Sequence, residues 1–544
     1  MVAENTENII DCHVLVIGSG GAGTRAAIEA ALYGDVVMMS RSVAGKGGCT
    51  PMAEGGFNAV LNPADCCTLH EEDTMKGGAY LNDPELVKTL VAEAPERMKD
   101  LIDWGAVFDL TPERQLAQRP FGGQRFNRTC YAGDRTGHEM MMTLVEHLRT
   151  ENIKILHEIS AIELLKSEGR VCGAAGLDRN GNLVVIKADA VVLATGGAGQ
   201  IYEVNTNCAT GNGQGFALAF RAGAELIDME MVQFHPTGAV QPYDARGRLI
   251  TEAVRGEGGV LKNTKDERFM KNYDPERMEL STRDVVARSI ATEILEGRGT
   301  EKGGVYLDVS HLNDKYIEVK LPLMLEQFLN FGVDIRKEPM EVAPTAHHFM
   351  GGIRIDPHGV TNVPGLFACG EVTGGVHGAN RLGGNSLADT QVFGKRAGES
   401  AGKSSLTSRK IDPIQIDAIR TRLEGYLKGD KNPAQIRRRM KALMWEKAGI
   451  FRTEEGLKTA LSELEKLSVE KPKAESRENL IDCCTVADML TTAVLVVKGS
   501  LIRPESRGAN MRTDLGPCKN PEKSPYSHTF QSLEKSGIER KEEQ

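Results

Sequence analysis

The chain has 544 residues, room for about three or four domains and a large core. A formal net charge of -9 gives no support to a basic nucleic-acid surface, so an anionic ligand requires a local positive pocket. No uninterrupted apolar run approaches ~20 residues, and the acidic stretch from Met1 to Asp11 lacks the basic head and apolar centre of a secretory signal, so a cytoplasmic protein without a membrane span is expected.

His13-Val-Leu-Val-Ile17 reads as a buried strand, Gly18-Ser-Gly-Gly-Ala-Gly23 as a turn, and Thr24 to Tyr33 as an alanine-rich helix stopped by Gly34. Val36-Val-Met-Met39 adds a second strand. In this βαβ opening a G-x-G-x-x-G turn lies where a pyrophosphate sits on a helix N-terminus. The carboxylate such folds place after the second strand is missing, and Ser40-Arg41 stands there instead. Further on, Arg170 to Leu177 and Leu183 to Lys187 read as a hairpin around Asn180-Gly181, followed by an apolar strand, Ala190 to Ala194.

From about Pro242 to Glu338 the pattern turns to mixed polar helices and loops, as if inserted in the cofactor domain. Glycine-rich character returns from Pro344 to Asp389. Three segments, Ile414 to Leu427, Ala434 to Ala448 and Glu454 to Leu467, have helical spacing. The charged tail from Lys519 reads as docked or mobile rather than core. A hairpin, then the strand Ala190 to Ala194, then Thr195-Gly-Gly197 suits a flavin-type Rossmann domain, so the predicted domains are a FAD-binding domain over 1–241 and 341–402, a capping domain inserted over 242–340, a helical domain over 403–504 and a C-terminal segment over 505–544. The fold class is α/β: a Rossmann-like FAD-binding domain with an inserted α+β cap and a C-terminal helical domain. Eleven cysteines include no C-x-x-C pair, which argues against a resident iron–sulfur cluster or zinc site, and no metal is expected.

The chemistry concentrates in Cys369 to Leu387, CGEVTGGVHGANRLGGNSL, where glycines permit close backbone approach to a flat ligand and Arg381 offers a fork for a carboxylate. Gln233-Phe-His-Pro-Thr237, Thr251-Glu-Ala-Val-Arg255, Arg283-Asp284 and Thr345-Ala-His-His-Phe349 supply further cations and imidazoles. Converged, two arginines and two histidines would bind both ends of a small dicarboxylate and polarise it.

These segments, with Asp73-Thr-Met-Lys-Gly77, Gln118-Arg-Pro-Phe-Gly-Gly123, Asp134-Arg-Thr-Gly-His138, Arg283 to Arg288, His377 to Ser386 and Glu505-Ser-Arg-Gly508, resemble the flavoprotein subunits of the succinate dehydrogenase and fumarate reductase family over nearly the whole length. The resemblance implies FAD held by Gly18, Gly20, Gly23, Ser40, Thr50, Gly55, Gly56, Glu371, Arg381, Ser386 and Leu387. It implies that His347 and Arg381 hold one substrate carboxylate, that His235, Thr251 and Glu252 hold the other end, and that Phe121 packs on the substrate. For fumarate reduction it implies that Arg283 delivers the proton and that Glu252 and Arg255 replenish it. The electrons would come through a separate iron–sulfur protein.

Two residues depart from the family pattern. Cys49 stands where many members carry a flavin-linked histidine, so non-covalent FAD is expected, and Asn212 replaces an aspartate. Lys46-Gly-Gly-Cys-Thr50, Thr345 to Gly351 and Ala388 to Phe393 resemble the methanogen-type thiol:fumarate reductase branch, which implies coenzyme M and coenzyme B thiols as donors. The alternatives are the flavoprotein of a succinate dehydrogenase, an L-aspartate oxidase, and a flavin-binding protein without catalysis. Arg119-Pro-Phe-Gly-Gly123 in place of Glu-Gly-Gly-His-Ser tells against the oxidase, and the retained His235, Arg283, His347 and Arg381 tell against the last.

Overall fold

The computed structural model describes residues 8–405 and 410–541, which leaves out the first seven residues of the acidic N-terminal stretch. Its central sheet runs Ile153–Leu156, Val36–Met39, Asn8–Ile17, Leu183–Leu193, Arg170–Leu177, Ser160–Ser167, with Leu366–Ala368 paired to Leu183–Leu193 as well. Val14, Leu15 and Val16 are fully buried, as expected of a parallel strand covered on both faces.

The hairpin strand and the apolar strand expected near Ala190 are one element, Leu183–Leu193. Its first half pairs antiparallel with Arg170–Leu177, while its last residues pair in parallel with Leu366–Ala368. The other edge runs parallel to Asn8–Ile17 throughout. Asp189, which reads as a break in the sequence, is buried at 2.9 Å from His13 Nδ1, so the strand continues through a partnered charge.

The expected helix after the turn begins earlier, at Gly21, inside the fingerprint, and ends at Ala31. Helix Asn385–Gly402 lies against it at very short range: a Cβ on Gly394 would fall 2.8 Å from Ala22 O, and one on Gly398 2.3 Å from Ala26 O. Glycine is what allows this approach. It brings Ser386 and Leu387 up to the fingerprint.

Strands Val232–Ala239, Met340–Phe349, Val305–Asp308 and Val260–Lys262 form a second, antiparallel sheet. Around it a separate core gathers Ile250, Leu261, Phe269, Ile290, Leu307 and Val342. The two long strands stand at the ends of the stretch between them, Val232–Ala239 stopping just before position 242 and Met340–Phe349 starting at 340, and their pairing brings those ends together. Asp134 ties the inserted region to the cofactor domain by accepting from Leu323 N (2.9 Å) and Met324 N (3.2 Å) at the start of helix Pro322–Asn330.

Helices Pro413–Leu427, Pro433–Lys447 and Glu454–Ser468 match the expected segments. Asp412, Asn432 and Thr453 cap their N-termini, and proline takes the first helical position in two of them. A fourth helix, Leu480–Ile502, packs among them and against Gln214–Ala222. The segment Arg477–Ile502 is long and apolar enough by composition to cross a membrane, with mean hydropathy 1.9, yet 72% of that window is buried inside the protein. It is accordingly the core helix of this region.

The described part of the charged tail, 519–541, is docked. Tyr526–Gln531 and Ser536–Arg540 complete a four-stranded sheet with Leu226–Ile227 and Gly352–Ile353. Fully buried Arg503 bonds Asp228 (2.8 Å), Glu230 (2.6 Å) and Ser527 O (3.1 Å), pinning the tail to the body.

Candidate active site

One cavity of about 750 Å³ runs from the fingerprint to the inserted sheet. At its first end, Gly18 has φ +116°, and a Cβ there would lie 2.2 Å from Ala194 O. Gly20, at the N-cap of Gly21–Ala31, has no side chain to cap the helix, and no acidic residue occupies its first turn. This leaves a positive helix end for an anionic group. Ser40 Oγ meets Ser19 Oγ at 2.6 Å on the same wall, and Thr50 Oγ1 accepts from Gly21 N at 3.1 Å.

Thr195 Oγ1, His348 Nε2 and Arg381 Nε are buried without partners, and all three residues line the cavity. Buried polar atoms of this kind are normally satisfied, so the wall is built for a ligand rich in acceptors and donors. A dinucleotide fits that description. Of the residues assigned to FAD by resemblance, Gly18, Gly20, Ser40, Thr50, Gly55, Gly56, Glu371, Arg381, Ser386 and Leu387 lie on the wall. Gly23 does not; its Cβ would fall 2.0 Å from Gly18 O, so it serves the packing of helix on turn.

At the other end the paired strands Val232–Ala239 and Met340–Phe349 set His235 opposite Thr345, with register shifts on either side. The irregular register brings the His235 and His347 rings to 5.1 Å between centroids. His347 Nδ1 bonds Thr206 Oγ1 at 2.8 Å, which leaves Nε2 as the nitrogen available to a ligand. Burial, followed by the nearby arginines, holds His235, His347 and His348 well below the usual imidazole range. They are therefore neutral hydrogen-bonding groups rather than extra cations.

Gln233 Oε1 accepts from Arg283 Nη1 and Arg381 Nη2, each at 3.2 Å, so one amide oxygen draws two guanidiniums together. Glu252 Oε2 receives Arg283 Nε at 2.8 Å and Nη2 at 2.7 Å, while Oε1 accepts from Gly122 N at 2.8 Å. Burial pushes the Glu252 carboxyl up, but Arg283, Arg255 and the Gly122 N–H outweigh it and bring it to about 2. Arg381 goes the other way: burial and Arg283 lower it to about 9 against the weaker pull of Glu371, Glu252 and Asp389. Cations crowded this closely call for an anion.

Phe121, Thr251, Glu252, Arg283, His235, His347 and Arg381 share the cavity wall. Arg255 stands behind them, fully buried, with Nη2 3.9 Å from Glu252 Oε2 and Nη1 bonded to Glu279 O. Thr251 caps helix Glu252–Gly256 through its side chain. Sequence reasoning assigns no part to Gln233, Gly383 or Cys208. Gly383 is where Phe121, Glu252 and Arg283 converge: its Cβ would lie 2.6, 2.9 and 3.3 Å from them. Cys208 carries no spacing signal at all, since its contact Cys49 is 159 residues away.

The fold and the cavity define a dinucleotide-binding protein with an anion pocket under an inserted sheet. Residues 13–387 match the FAD binding domain family, and residues 437–537 match the fumarate reductase flavoprotein C-terminal family. The chain is 52% identical over 520 residues to a fumarate reductase (CoM/CoB) subunit of Methanothermobacter marburgensis, covering 93% of this chain and 95% of that one. It is 36% identical to the fumarate reductase flavoprotein subunit of Escherichia coli, across 97% and 92% of the two chains. A solved E. coli quinol fumarate reductase chain superposes with a TM-score of 0.92 at 34% identity, across 98% and 97%. The chain belongs to the fumarate reductase and succinate dehydrogenase flavoprotein family, FAD-dependent oxidoreductases acting on CH–CH bonds.

Proposed function

We propose that this chain is the flavoprotein subunit of a cytoplasmic fumarate reductase, reducing fumarate to succinate with electrons from an iron–sulfur partner. The observation that carries the reading is the pair of guanidiniums, Arg283 and Arg381, converging on Gln233, with Glu252 as the carboxylate paired directly to Arg283. This local excess of positive charge suits a substrate that is anionic at both ends. The 52% identity to the Methanothermobacter CoM/CoB protein supports coenzyme M and coenzyme B thiols as the ultimate donors.

When bound, FAD supplies a two-electron hydride donor. It would be held without a covalent link by the ten wall residues above. His347 and Arg381 bind one carboxylate of fumarate, His235 and Thr251 bind the other, and Phe121 covers the apolar middle. Glu252 acts through Arg283 and Arg255. Arg283 presents its guanidinium to the alkene carbon that receives the proton. An arginine is ordinarily locked in its charged form, so the proton it gives must be replaced at once. The Arg255–Glu252–Arg283 chain, with separations of 3.9 and 2.7 Å, is the supply.

Fumarate-dependent oxidation of reduced viologen by the FAD-loaded chain tests the reading, with succinate oxidation run in parallel. Arg283→Ala is expected to retain FAD and lose fumarate reduction by about 10²–10⁴-fold in kcat, the usual worth of a positioned proton donor. Full activity in that variant would remove Arg283 from the proton path, and an inactive wild type that turned over aspartate would replace the substrate.

A further inference from the structure

Cys49 and Cys208 come from loops far apart in sequence, and their Sγ atoms lie 3.8 Å apart. Both line the same cavity as the FAD-binding glycines. The doublets Cys66-Cys67 and Cys483-Cys484 are chain neighbours, whereas this pair is assembled by the fold.

We propose that Cys49 and Cys208 form a redox-active dithiol in the wall of the flavin cavity, exchanging an electron pair with bound flavin by closing and opening a disulfide. Going forward, the Cys208 thiolate and the Cys49 thiol form one S–S bond and release two electrons and the Cys49 proton. Oxidised flavin takes up both electrons and that proton and becomes the reduced, singly anionic form, so charge and atoms balance. The reverse step reduces the disulfide.

Contact geometry supports the closure, because the sulfurs already touch at 3.8 Å and have under about 2 Å to travel to the disulfide length of about 2.05 Å. The surroundings assign the two sulfurs different parts. Cys208 receives the Cys49 thiol, the Thr210 hydroxyl at 3.1 Å and the backbone N–H groups of Thr210 and Gly211, which hold it below the usual thiol range despite burial. The shared hydrogen bond and burial push Cys49 up. One sulfur is thus ready as the thiolate, the form that reacts, and its neighbour retains the proton. Elsewhere burial raises Cys130, Cys483 and Cys484 to about 12, which makes them inert by contrast.

The pair also bridges the two halves of the site. Cys49 precedes Thr50, which bonds Gly21 at the fingerprint, while Cys208 follows Asn207, whose Nδ2 bonds His347 O at 2.8 Å in the anion pocket. Nothing in this inference depends on fumarate being the substrate; it requires only FAD in the cavity.

The test is an anaerobic dithionite titration of FAD-loaded chain first reoxidised with ferricyanide, paired with thiol alkylation and peptide mass spectrometry. The expected result is uptake of a second electron pair per flavin, a Cys49–Cys208 linked peptide in the oxidised holoprotein, and free thiols at both positions in FAD-free protein treated identically. Cys49→Ser and Cys208→Ser should each take up one pair. Uptake of one pair by the unaltered chain overturns the proposal even if a variant fails to fold, and so does a disulfide forming equally well without FAD.

Discussion

Replacing Glu252 with glutamine keeps the side chain's shape and removes its charge, so it isolates what the carboxylate does for the two arginines. Arg283 sits 2.7 Å from Oε2 and Arg255 3.9 Å, all three side chains being buried. Holding the carboxyl at about 2 instead of 4.5 favours its ionised form by about 3 kcal/mol at ~1.4 kcal/mol per tenfold. Since the folded-state value is depressed, that stabilisation is present above 4.5 and is lost as pH falls through about 2. At pH 7 Glu252→Gln therefore forfeits about 3 kcal/mol of folding stability, within the roughly 3–5 kcal/mol range for stripping one partner from a buried ion pair. In turnover the variant also lacks the link between Arg255 and Arg283, so kcat for fumarate should drop by about 10²–10⁴-fold with KM changing much less. Urea unfolding of the FAD-loaded variant and viologen-coupled kinetics read the two effects separately. A variant with wild-type stability would show that the ion pair does not exist in solution. One with wild-type kcat would refute the relay.

Two further outcomes follow from the geometry. Gly383→Ala places a methyl group against Phe121, Glu252 and Arg283 and should cost about 1–3 kcal/mol, with fumarate turnover falling more than FAD content, measured by flavin absorbance against protein mass. Glu371, pushed up to about 7 by burial against the Phe349 N–H and Arg381, makes the FAD-free protein lose about 3 kcal/mol as pH rises from about 4.5 through about 7. Urea unfolding across that window should show the slope in the wild type and its absence in Glu371→Gln.

The parts of this protein legible in its sequence are those where a local pattern has one physical reading. Val14 to Ile17 followed by the first glycines of Gly18 to Gly23 reads as a buried strand feeding a tight turn, and the helical spacing of Ile414 to Leu427 and Ala434 to Ala448 marks the two helices that Asp412 and Asn432 cap. Where a segment changes partner halfway, local pattern misleads: Lys187-Ala-Asp189 reads as a gap because Asp189 pairs with His13, 176 residues away. The docking of the tail is equally hidden, since Arg503 binds Asp228 and Glu230 across the chain. Among site residues, arginines and histidines announce themselves by type. Gln233 does not, being a neutral amide whose importance comes from two cations, one opening helix Arg283–Leu295 and one in the glycine-rich segment, 50 and 148 residues away.

That same amide bears on which dicarboxylate the pocket accepts. Fumarate and succinate bring two carboxylates and no cation, whereas aspartate adds an ammonium beside the alkane carbons. Glu252, the carboxylate paired to Arg283, already receives Gly122 N–H on one oxygen and Arg283 on the other, and the three histidines are neutral. An ammonium about 4 Å from the Arg381 guanidinium, which unlike Arg283 has no carboxylate in ion-pair contact among the described residues, meets roughly 4 kcal/mol of repulsion at an effective dielectric of about 20, about a thousandfold in affinity. Aspartate should consequently compete against fumarate about three orders of magnitude more weakly than succinate in the viologen assay. Inhibition by aspartate at succinate-like concentrations would mean that the arginine pair is neutralised in the working enzyme, and iminoaspartate formation would then be the next reaction to assay.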